Sequence, residues 1–282
     1  MPEKIGLIAG KGQFPLLFAE VARRRGLEVV AVAHRGETDP GIETIAHQCH
    51  WIFVGQVGRL IRAFKEAQVT RAVMAGGVSR GRLFRDFRPD FRALALIRRV
   101  GAGHDDRILR GLAAELEQEG ITIVSPLLYL DELLAQPGQL SRRRPTAAEL
   151  EDIDYGFTIA KAVGRLDLGQ CVVVRRQVVT ALEAIEGTDD TIRRGGRLAG
   201  QGAVVVKVSK PGQDLRFDLP TVGKNTIEVM GEVEAVVLAV EAGKTLIFDR
   251  EEMVALADQA GIAIWGVASA GDLEKEGQGP YT

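Results

Sequence analysis

Short apolar runs alternate with amphipathic segments through the first half of the chain. Residues 5–9 and 29–33 are apolar runs of strand length. The segment between them carries apolar residues at helical spacing and ends at Gly26, a residue suited to a helix C-cap. The alternation continues with predicted strands at 51–54, 72–75 and 121–124 and predicted helices at 60–67 and 106–119. This alternation is typical of a mainly parallel sheet with helices on its faces.

The second half has more strand character. Thr146 followed by Glu149 matches a capping box, which predicts a helix from there to about residue 165. Residues 171–175 and 178–182 predict either a hairpin or two neighbouring strands. The remaining pattern predicts strands at 203–208, 235–240, 246–248 and 262–267 and a helix at 250–260.

A turn-rich, basic segment bounded by prolines separates the two patterns. We therefore predict three parts: an N-terminal α/β domain at 1–136, a linker at 137–145 and a C-terminal α/β domain at 146–282. The fold class is α/β, with an N-terminal Rossmann-like parallel sheet and a C-terminal mixed α/β domain.

Composition and charge narrow the function classes. The net charge of -2 over 282 residues gives no reason to expect a nucleic-acid partner. Two distant cysteines, Cys49 and Cys171, form no disulfide framework, and the N-terminal residues do not match a signal peptide. No apolar run reaches the ~18 residues of a spanning helix. We expect a cytoplasmic protein that is at most peripheral to a membrane.

Two glycine loops follow predicted strands and are candidates for phosphate contact. Gly10 and Gly12 precede a helix that starts near Gln13, and Gly76 and Gly77 follow the strand at 72–75. A plain tight turn is the alternative interpretation of both loops. A nicotinamide site is disfavoured, because His34 follows the second strand where an acidic residue would hold a ribose.

Two further segments have open interpretations. Residues 83–99 contain aromatic residues interspersed with arginines. Such a segment can lie on a membrane surface, form the wall of a pocket near phosphates or be an ordinary amphipathic helix. Asp105 and Asp106 can cap the helix that follows, which their spacing favours, or contact a ligand or metal.

Carboxylates concentrate in two places in the second half. Four of them occur within residues 183–190, where Asp189 and Asp190 can also cap a helix. In the segment 207–223, an extended backbone would place Asp214, Arg216 and Asp218 on one face. Carboxylates beside lysines suit phosphoryl transfer, and a salt-bridged surface strand is the alternative.

The order and spacing of these motifs resemble a known family. The motifs are Ile8-Ala9-Gly10-x-Gly12-x-x-Pro15, Ala75-Gly76-x-Val78-x-Arg80, Asp105-Asp106, Glu186-Gly187-Thr188-Asp189 and Lys210-Pro211-x-Gln213-Asp214-x-Arg216-x-Asp218-x-Pro220-x-x-Gly223. They resemble the bacterial UDP-2,3-diacylglucosamine pyrophosphatases of lipid A biosynthesis that are not calcineurin-like, the LpxI family. Gly81 and His104 depart from the family pattern without removing a catalytic group.

The resemblance implies a two-domain, magnesium-dependent homodimer with its active site in the cleft between domains. It implies attack of water on the β-phosphorus of UDP-2,3-diacylglucosamine, a lipid-linked nucleotide sugar, giving UMP and 2,3-diacylglucosamine 1-phosphate (lipid X). The predicted catalytic residues are Lys207, Lys210, Asp214, Arg216 and Asp218. The predicted Mg²⁺ ligands are Glu186, Asp189, Asp214 and Asp218. The predicted substrate contacts are Gly10, Gly12, Gln13, Gly76, Gly77, Arg80, Asp105, Asp106, Thr188, Gln213 and Thr221.

Three other functions stay open at this point. A nucleotide-dependent oxidoreductase would bind NAD(P), and a non-enzymatic nucleotide-sugar sensor would bind without turnover. A lipid or nucleic-acid adaptor would use the arginine- and phenylalanine-rich stretch.

Overall fold

The computed structural model describes residues 2–79, 87–101 and 105–268, without the side chains of Asp105 and Asp106. The chain divides into two compact units. The first contains the N-terminal part to Asp131 together with Asp214–Phe217, and the second contains Glu132–Gln213 and the chain from Asp218 onwards. In the described residues, no helix is both long and apolar enough to cross a bilayer.

The first unit is built on a five-stranded parallel sheet in the order β3-β2-β1-β4-β5. Its strands are β1 (Lys4–Ala9), β2 (Glu28–His34), β3 (Gln48–Ile52), β4 (Arg71–Ala75) and β5 (Thr122–Ile123). Its helices are α1 (Phe14–Arg24), α2 (Ile42–Ile45), α3 (Val57–Glu66), α4 (Phe91–Val100) and α5 (Asp105–Gln118). The predicted parallel α/β class is therefore confirmed for this half.

The central strands of this sheet are buried almost throughout. Ile5, Leu7 and Val29 have no exposed surface, as expected for parallel strands with helices on both faces. The edge strand β3 differs from its prediction, because it covers 48–52 instead of 51–54. Only Ile52 in it is buried, so the strand carries little of the apolar signal that would locate it in a sequence.

The second unit contains a six-stranded mixed sheet in the order β6-β13-β11-β9-β7-β8. Its strands are β6 (Gly138–Gln139), β7 (Cys171–Arg175), β8 (Val178–Leu182), β9 (Val204–Lys207), β11 (Val237–Glu241) and β13 (Ala263–Val267). A separate parallel pair joins β10 (Thr221–Val222) to β12 (Leu246–Ile247). The helices are α6 (Ala147–Arg165), α7 (Thr188–Ala199), α8 (Lys224–Glu232) and α9 (Arg250–Ala260).

Helices cover both faces of the six-stranded sheet. In β7, Cys171 and Val173 point into the core shared with α7, α8 and α9, whereas Val172 and Val174 point into the core shared with α6. The predicted hairpin of β7 and β8 is confirmed. Its two turn residues, Arg176 and Gln177, have positive φ, as a two-residue hairpin turn requires.

The segment before α6 belongs to the second unit. Gly138–Gln139, inside the predicted linker 137–145, pairs antiparallel with β13. The Ser141 hydroxyl donates to the carbonyl of Ile262 at 3.2 Å and accepts from the amide of Ile264 at 2.7 Å. The capping box at the start of α6 is present with both of its hydrogen bonds.

Candidate functional site

The two glycine loops of the first unit are hydrogen-bonded to each other. The Gly10 amide donates to the Ala75 carbonyl at 2.8 Å, and the Lys11 amide donates to the Gly77 carbonyl at 2.7 Å. These loops follow β1 and β4, which lie side by side where the strand order reverses. Ligands of open α/β sheets bind in the crevice at such a switch point.

Different structural features account for glycine at each of these four positions. A side chain at Gly10 would lie 2.4 Å from the Gly77 carbonyl oxygen, and one at Gly76 would lie 2.5 Å from the Lys11 carbonyl oxygen. The contact between the loops therefore explains both residues. Gly12 has φ +97°, which suits a turn. Gly77 has no positive φ, and no described residue lies within 4 Å of the position that a side chain there would take.

The α1 N-terminus faces this region without a side-chain cap. Gln13 occupies the N-cap position and is exposed, and the first turn holds no acidic residue. Unpaired amides at a helix N-terminus favour an anion. Arg80 lies outside the described residues, and the side chains of Asp105 and Asp106, at the start of α5, also lie outside them.

An acidic residue that the sequence analysis did not select lies near the end of β2. One oxygen of Glu37 accepts hydrogen bonds from the amide and the hydroxyl of Ser79, at 3.2 and 2.9 Å. The other oxygen is buried and has no hydrogen-bond partner among the residues that the structure describes. Glu37 lies in the turn after β2 and not directly after the strand, and its partner Ser79 is 42 residues away, so the sequence gives no local signal for this contact.

The second unit places a buried cation at the end of β9. Lys207 is only 7% exposed, and its ammonium donates to the Thr221 carbonyl at 2.8 Å. Among the described residues, no carboxylate lies within 4.0 Å of this ammonium. A buried ammonium that lacks a carboxylate partner and has donors to spare is suited to an anionic ligand.

The predicted acidic cluster lies around the start of α7. The Thr188 hydroxyl donates to Glu183 at 2.9 Å, and Asp189 accepts from the Asn225 amide at 2.8 Å. Asn225 lies in the first turn of α8, so this hydrogen bond joins the N-termini of α7 and α8. Both helices have glycine at the N-cap, Gly187 and Gly223.

Glu186 is hydrogen-bonded by a backbone amide and by an arginine. Hydrogen bonds from its own backbone amide and from Arg194 lower the pKa of its carboxyl group. The buried carboxylate of this cluster is instead Glu183, which also accepts from the amide of Gln170 at 3.0 Å. Glu183 belongs to the carboxylate cluster that the sequence singled out, but it was not among the predicted metal ligands. Asn225 was not predicted as a site residue, because its partner Asp189 lies 36 positions away in the sequence.

The backbone at 214–218 is not extended, so the condition for placing Asp214, Arg216 and Asp218 on one face of a strand is not met. Residues 215–217 form a turn, with the Phe217 amide donating to the Asp214 carbonyl at 3.0 Å. Phe217 packs against the core of the first unit, and the Ser125 hydroxyl holds the Leu215 carbonyl at 3.0 Å. These contacts outweigh the local alternation, which alone would favour a strand. Asp214 and Asp218 consequently belong to different units.

Asp214 and Arg216 form a two-point ion pair. The guanidinium Nε and Nη2 atoms each lie 2.9 Å from one carboxylate oxygen, and Arg110 adds a contact at 3.2 Å. Hydrogen bonding from Arg216, followed by smaller contributions that include the charge of Arg110, lowers the pKa of Asp214. Both oxygens of Asp214 are thereby engaged by cations.

Lys210 and Asp218 lie on the loop that follows β9. The Lys210 ammonium pairs with Asp167 at 2.7 Å, and the exposed Asp218 accepts from the Gln213 amide at 2.6 Å. In the described part of the chain, no three His, Cys, Asp or Glu side chains converge as a metal site made only of protein ligands would require. The predicted ligand set Glu186, Asp189, Asp214 and Asp218 thus forms no such cage there.

Comparison with solved structures gives only weak likenesses. The biotin carboxylase domain of 2-oxoglutarate carboxylase from Hydrogenobacter thermophilus is 14% identical, with a TM-score of 0.26 over 63% of this chain and 36% of that one. The biotin carboxylase subunit of pyruvate carboxylase is 15% identical, with a TM-score of 0.27 over 71% of this chain and 42% of that one. The chain spans less than half of either structure, and TM-scores this low carry no argument.

Sequence comparison identifies the family of the chain, which the structural comparison does not. The family model described as the LpxI N-terminal domain matches residues 4–133, and that of the LpxI C-terminal domain matches residues 136–265. The curated UDP-2,3-diacylglucosamine pyrophosphatase LpxI of Caulobacter vibrioides is 33% identical over 276 residues, which cover 94% of this chain and 97% of that protein. The chain belongs to the LpxI family.

Proposed function

We propose that the protein hydrolyses the pyrophosphate of UDP-2,3-diacylglucosamine, giving UMP and 2,3-diacylglucosamine 1-phosphate in lipid A biosynthesis. The observation that carries the proposal is the match over 94% of the chain to a relative that bears this activity in its name. The buried Lys207 ammonium and the glycine-capped N-termini of α7 and α8 support it, because they suit the phosphates of such a substrate.

Each group then has a distinct task. Lys207 and the helix N-termini stabilise negative charge on the phosphates, which is the main requirement of phosphoryl transfer. Asp218 orients the attacking water and accepts its proton. As the water oxygen bonds to the β-phosphorus, the anhydride bond breaks and UMP leaves with the bonding electron pair. Asp214 holds the guanidinium of Arg216 in one orientation, and the donors that contact neither Asp214 nor Glu117, which lies 3.5 Å from Nη1, would serve phosphate oxygens.

We also propose that magnesium assists this reaction. Magnesium commonly takes one or two carboxylates and completes its shell with waters and substrate phosphates, so no cage of protein ligands is needed. Asp189 fits best, because it retains one oxygen that no described group contacts by hydrogen bond, whereas the free oxygen of Asp218 is assigned to the attacking water. Glu186 and Asp214 are less suited, since arginines engage them. The ion would neutralise pyrophosphate charge.

The decisive measurement is UMP release from UDP-2,3-diacylglucosamine, with magnesium and with EDTA. We expect release with magnesium and loss of release with EDTA. Asp214→Ala and Asp218→Ala should each lower kcat by about a thousandfold or more, as loss of a main catalytic interaction does. Asp154→Ala, an exposed change on α6, is the matched control and should retain full activity.

Contradictory outcomes are equally specific. Full activity in both aspartate variants would overturn the residue assignment, and release that persists in EDTA would overturn the magnesium proposal. Tight UDP-sugar binding by the folded protein without any turnover would identify a nucleotide-sugar sensor instead.

Homodimer formation and contact with the inner face of the inner membrane complete the proposal. The membrane contact is supported by α4, which exposes Phe91 by 91% and Leu94 by 50% beside Arg98. Light scattering should give twice the chain mass of 30.5 kDa. Sedimentation with anionic vesicles should weaken when Phe91 and Leu94 are both replaced by Ser.

A further inference from the structure

The side-chain amide of Gln213 is held in one orientation. Its oxygen accepts from the Lys210 amide at 2.8 Å and from the Ser209 hydroxyl at 3.2 Å. Because both of these groups donate, the NH₂ group must point the other way, where it donates to Oδ2 of Asp218 at 2.6 Å. The hydrogen bond joins the two residues that flank the Asp214–Phe217 segment.

A buried charge cluster anchors the loop that holds Gln213. Glu241 has no exposed surface and accepts from the Ser209 amide at 2.8 Å and from the Lys244 ammonium at 2.9 Å. Lys161 also pairs with Glu241 and donates to the Ser209 carbonyl at 2.8 Å. Ser209 is therefore bound at its amide, carbonyl and hydroxyl groups, so the loop after β9 has a rigid base.

We propose that Gln213 is a positioning residue for Asp218 and not a substrate-binding residue, with Ser209 and Glu241 as its support. The amide N–H fixes the rotation of the Asp218 carboxylate, so that Oδ1 faces the attacking water. This inference rests on the proposed pyrophosphatase function. It replaces the prediction that Gln213 contacts substrate.

The two roles differ in kinetics. A substrate contact present in both the ground state and the transition state raises KM when it is lost, whereas loss of a positioning contact lowers kcat with little change in KM. Gln213→Glu has nearly the same shape as the wild type, but replaces the N–H donor by an oxygen that repels the Asp218 carboxylate. We expect kcat to fall about tenfold to a hundredfold, the range for a lost hydrogen bond to a charged group, with KM changed less than about threefold.

Two further variants complete the experiment. Gln177→Glu is the matched control, because the Gln177 amide also donates to a carboxylate, that of Glu151 at 3.2 Å, elsewhere in the second unit. It should leave kcat and KM unchanged. Ser209→Ala removes one of the two donors that orient Gln213, and should lower kcat by about twofold to tenfold at constant KM. Far-UV circular dichroism and thermal unfolding establish that each variant is folded.

The possible outcomes distinguish failure of the positioning role from failure of the proposed pyrophosphatase function. If the wild type releases UMP and Gln213→Glu retains wild-type kcat, the positioning role is overturned and the function stands. A rise in KM at constant kcat would return Gln213 to substrate binding. If Gln213→Glu does not fold, unchanged kcat in folded Ser209→Ala overturns the role. No UMP release by the wild type overturns the proposed function, and the role of Gln213 in it.

Discussion

His34 shows how burial sets the chemistry of a single residue. Its side chain lies at the end of β2 and is 8% exposed, with Nδ1 at 2.9 Å from the Ala9 carbonyl oxygen. The Thr38 hydroxyl donates to the same carbonyl and accepts from the His34 amide. Burial lowers the pKa of His34 below 6.5, an effect only partly offset by the Ala9 hydrogen bond and the charge of Glu37. Burial therefore favours the neutral form of the ring.

This lowered pKa makes stability depend on pH. Below pH 6.5 His34 is protonated more readily in the unfolded chain than in the folded protein. The free energy of unfolding therefore falls as the pH decreases. Urea titrations at pH 7.5, 6.5 and 5.5 should show this fall, at most about 1.4 kcal/mol per pH unit from one group. His34→Gln should reduce this fall, because it removes the group whose pKa burial lowers. Parallel pH profiles for the wild type and His34→Gln would contradict the assignment.

Helix α7 depends on glycine for its approach to the sheet. A side chain at Gly195 would lie 2.5 Å from Cβ of Val173 and 2.8 Å from Cβ of Ala181. Helix α6 has the same requirement at Gly156, where a side chain would lie 2.7 Å from Val206. In isolation, glycine inside a helix is unfavourable, so both positions show tertiary packing overriding helix propensity.

Replacing a helix glycine by alanine should lower or raise the stability of the protein, depending on the space around that glycine. Gly195→Ala should destabilise the protein by about 1–3 kcal/mol, because β7 and β8 cannot retreat from the added methyl group. Gly231→Ala in α8 meets no atom within 4 Å and should stabilise it by about 0.5–1 kcal/mol. Chemical denaturation of both variants tests the pair. Equal stabilisation by the two changes would show that packing does not limit α7.

At the scale of the whole molecule, the first unit is not continuous in sequence. It takes Asp214–Phe217 from the middle of the C-terminal half, where Phe217 contributes to its core and Asp214 pairs with Arg110. The family model for the C-terminal domain spans this segment without a break, at residues 136–265. A boundary drawn only along the sequence therefore omits part of the first unit.

The Asp214–Phe217 segment should stabilise the first unit selectively. Phe217→Ala removes a half-buried ring from that core and should cost about 2 kcal/mol. Hydrogen exchange should then quicken in β1 and β4 while β9 and β11 keep their protection. Phe91→Ala is the matched control, because Phe91 is 91% exposed in the same unit and its loss should change stability by less than about 0.5 kcal/mol. Uniformly faster exchange in both units would contradict the selectivity.

The sequence by itself determined the α/β class, the buried strands and the family. Strands β1, β2 and β4 and the start of α6 were predictable because burial on both faces and capping produce signals within a few residues. The spaced motifs indicated the LpxI family, which the full-length matches confirm.

Only the tertiary structure decided how the charged residues are paired. Glu37 meets Ser79, Asp189 meets Asn225 and Gln213 meets Asp218 through contacts that depend on how the loops and helix ends are packed. The alternation at 214–218 pointed to a strand, yet burial of Phe217 in the first unit turns the chain there. Local periodicity reports the polarity of the surface that a segment faces. It does not indicate which distant residues form that surface, because contacts between distant residues form only when the whole chain packs.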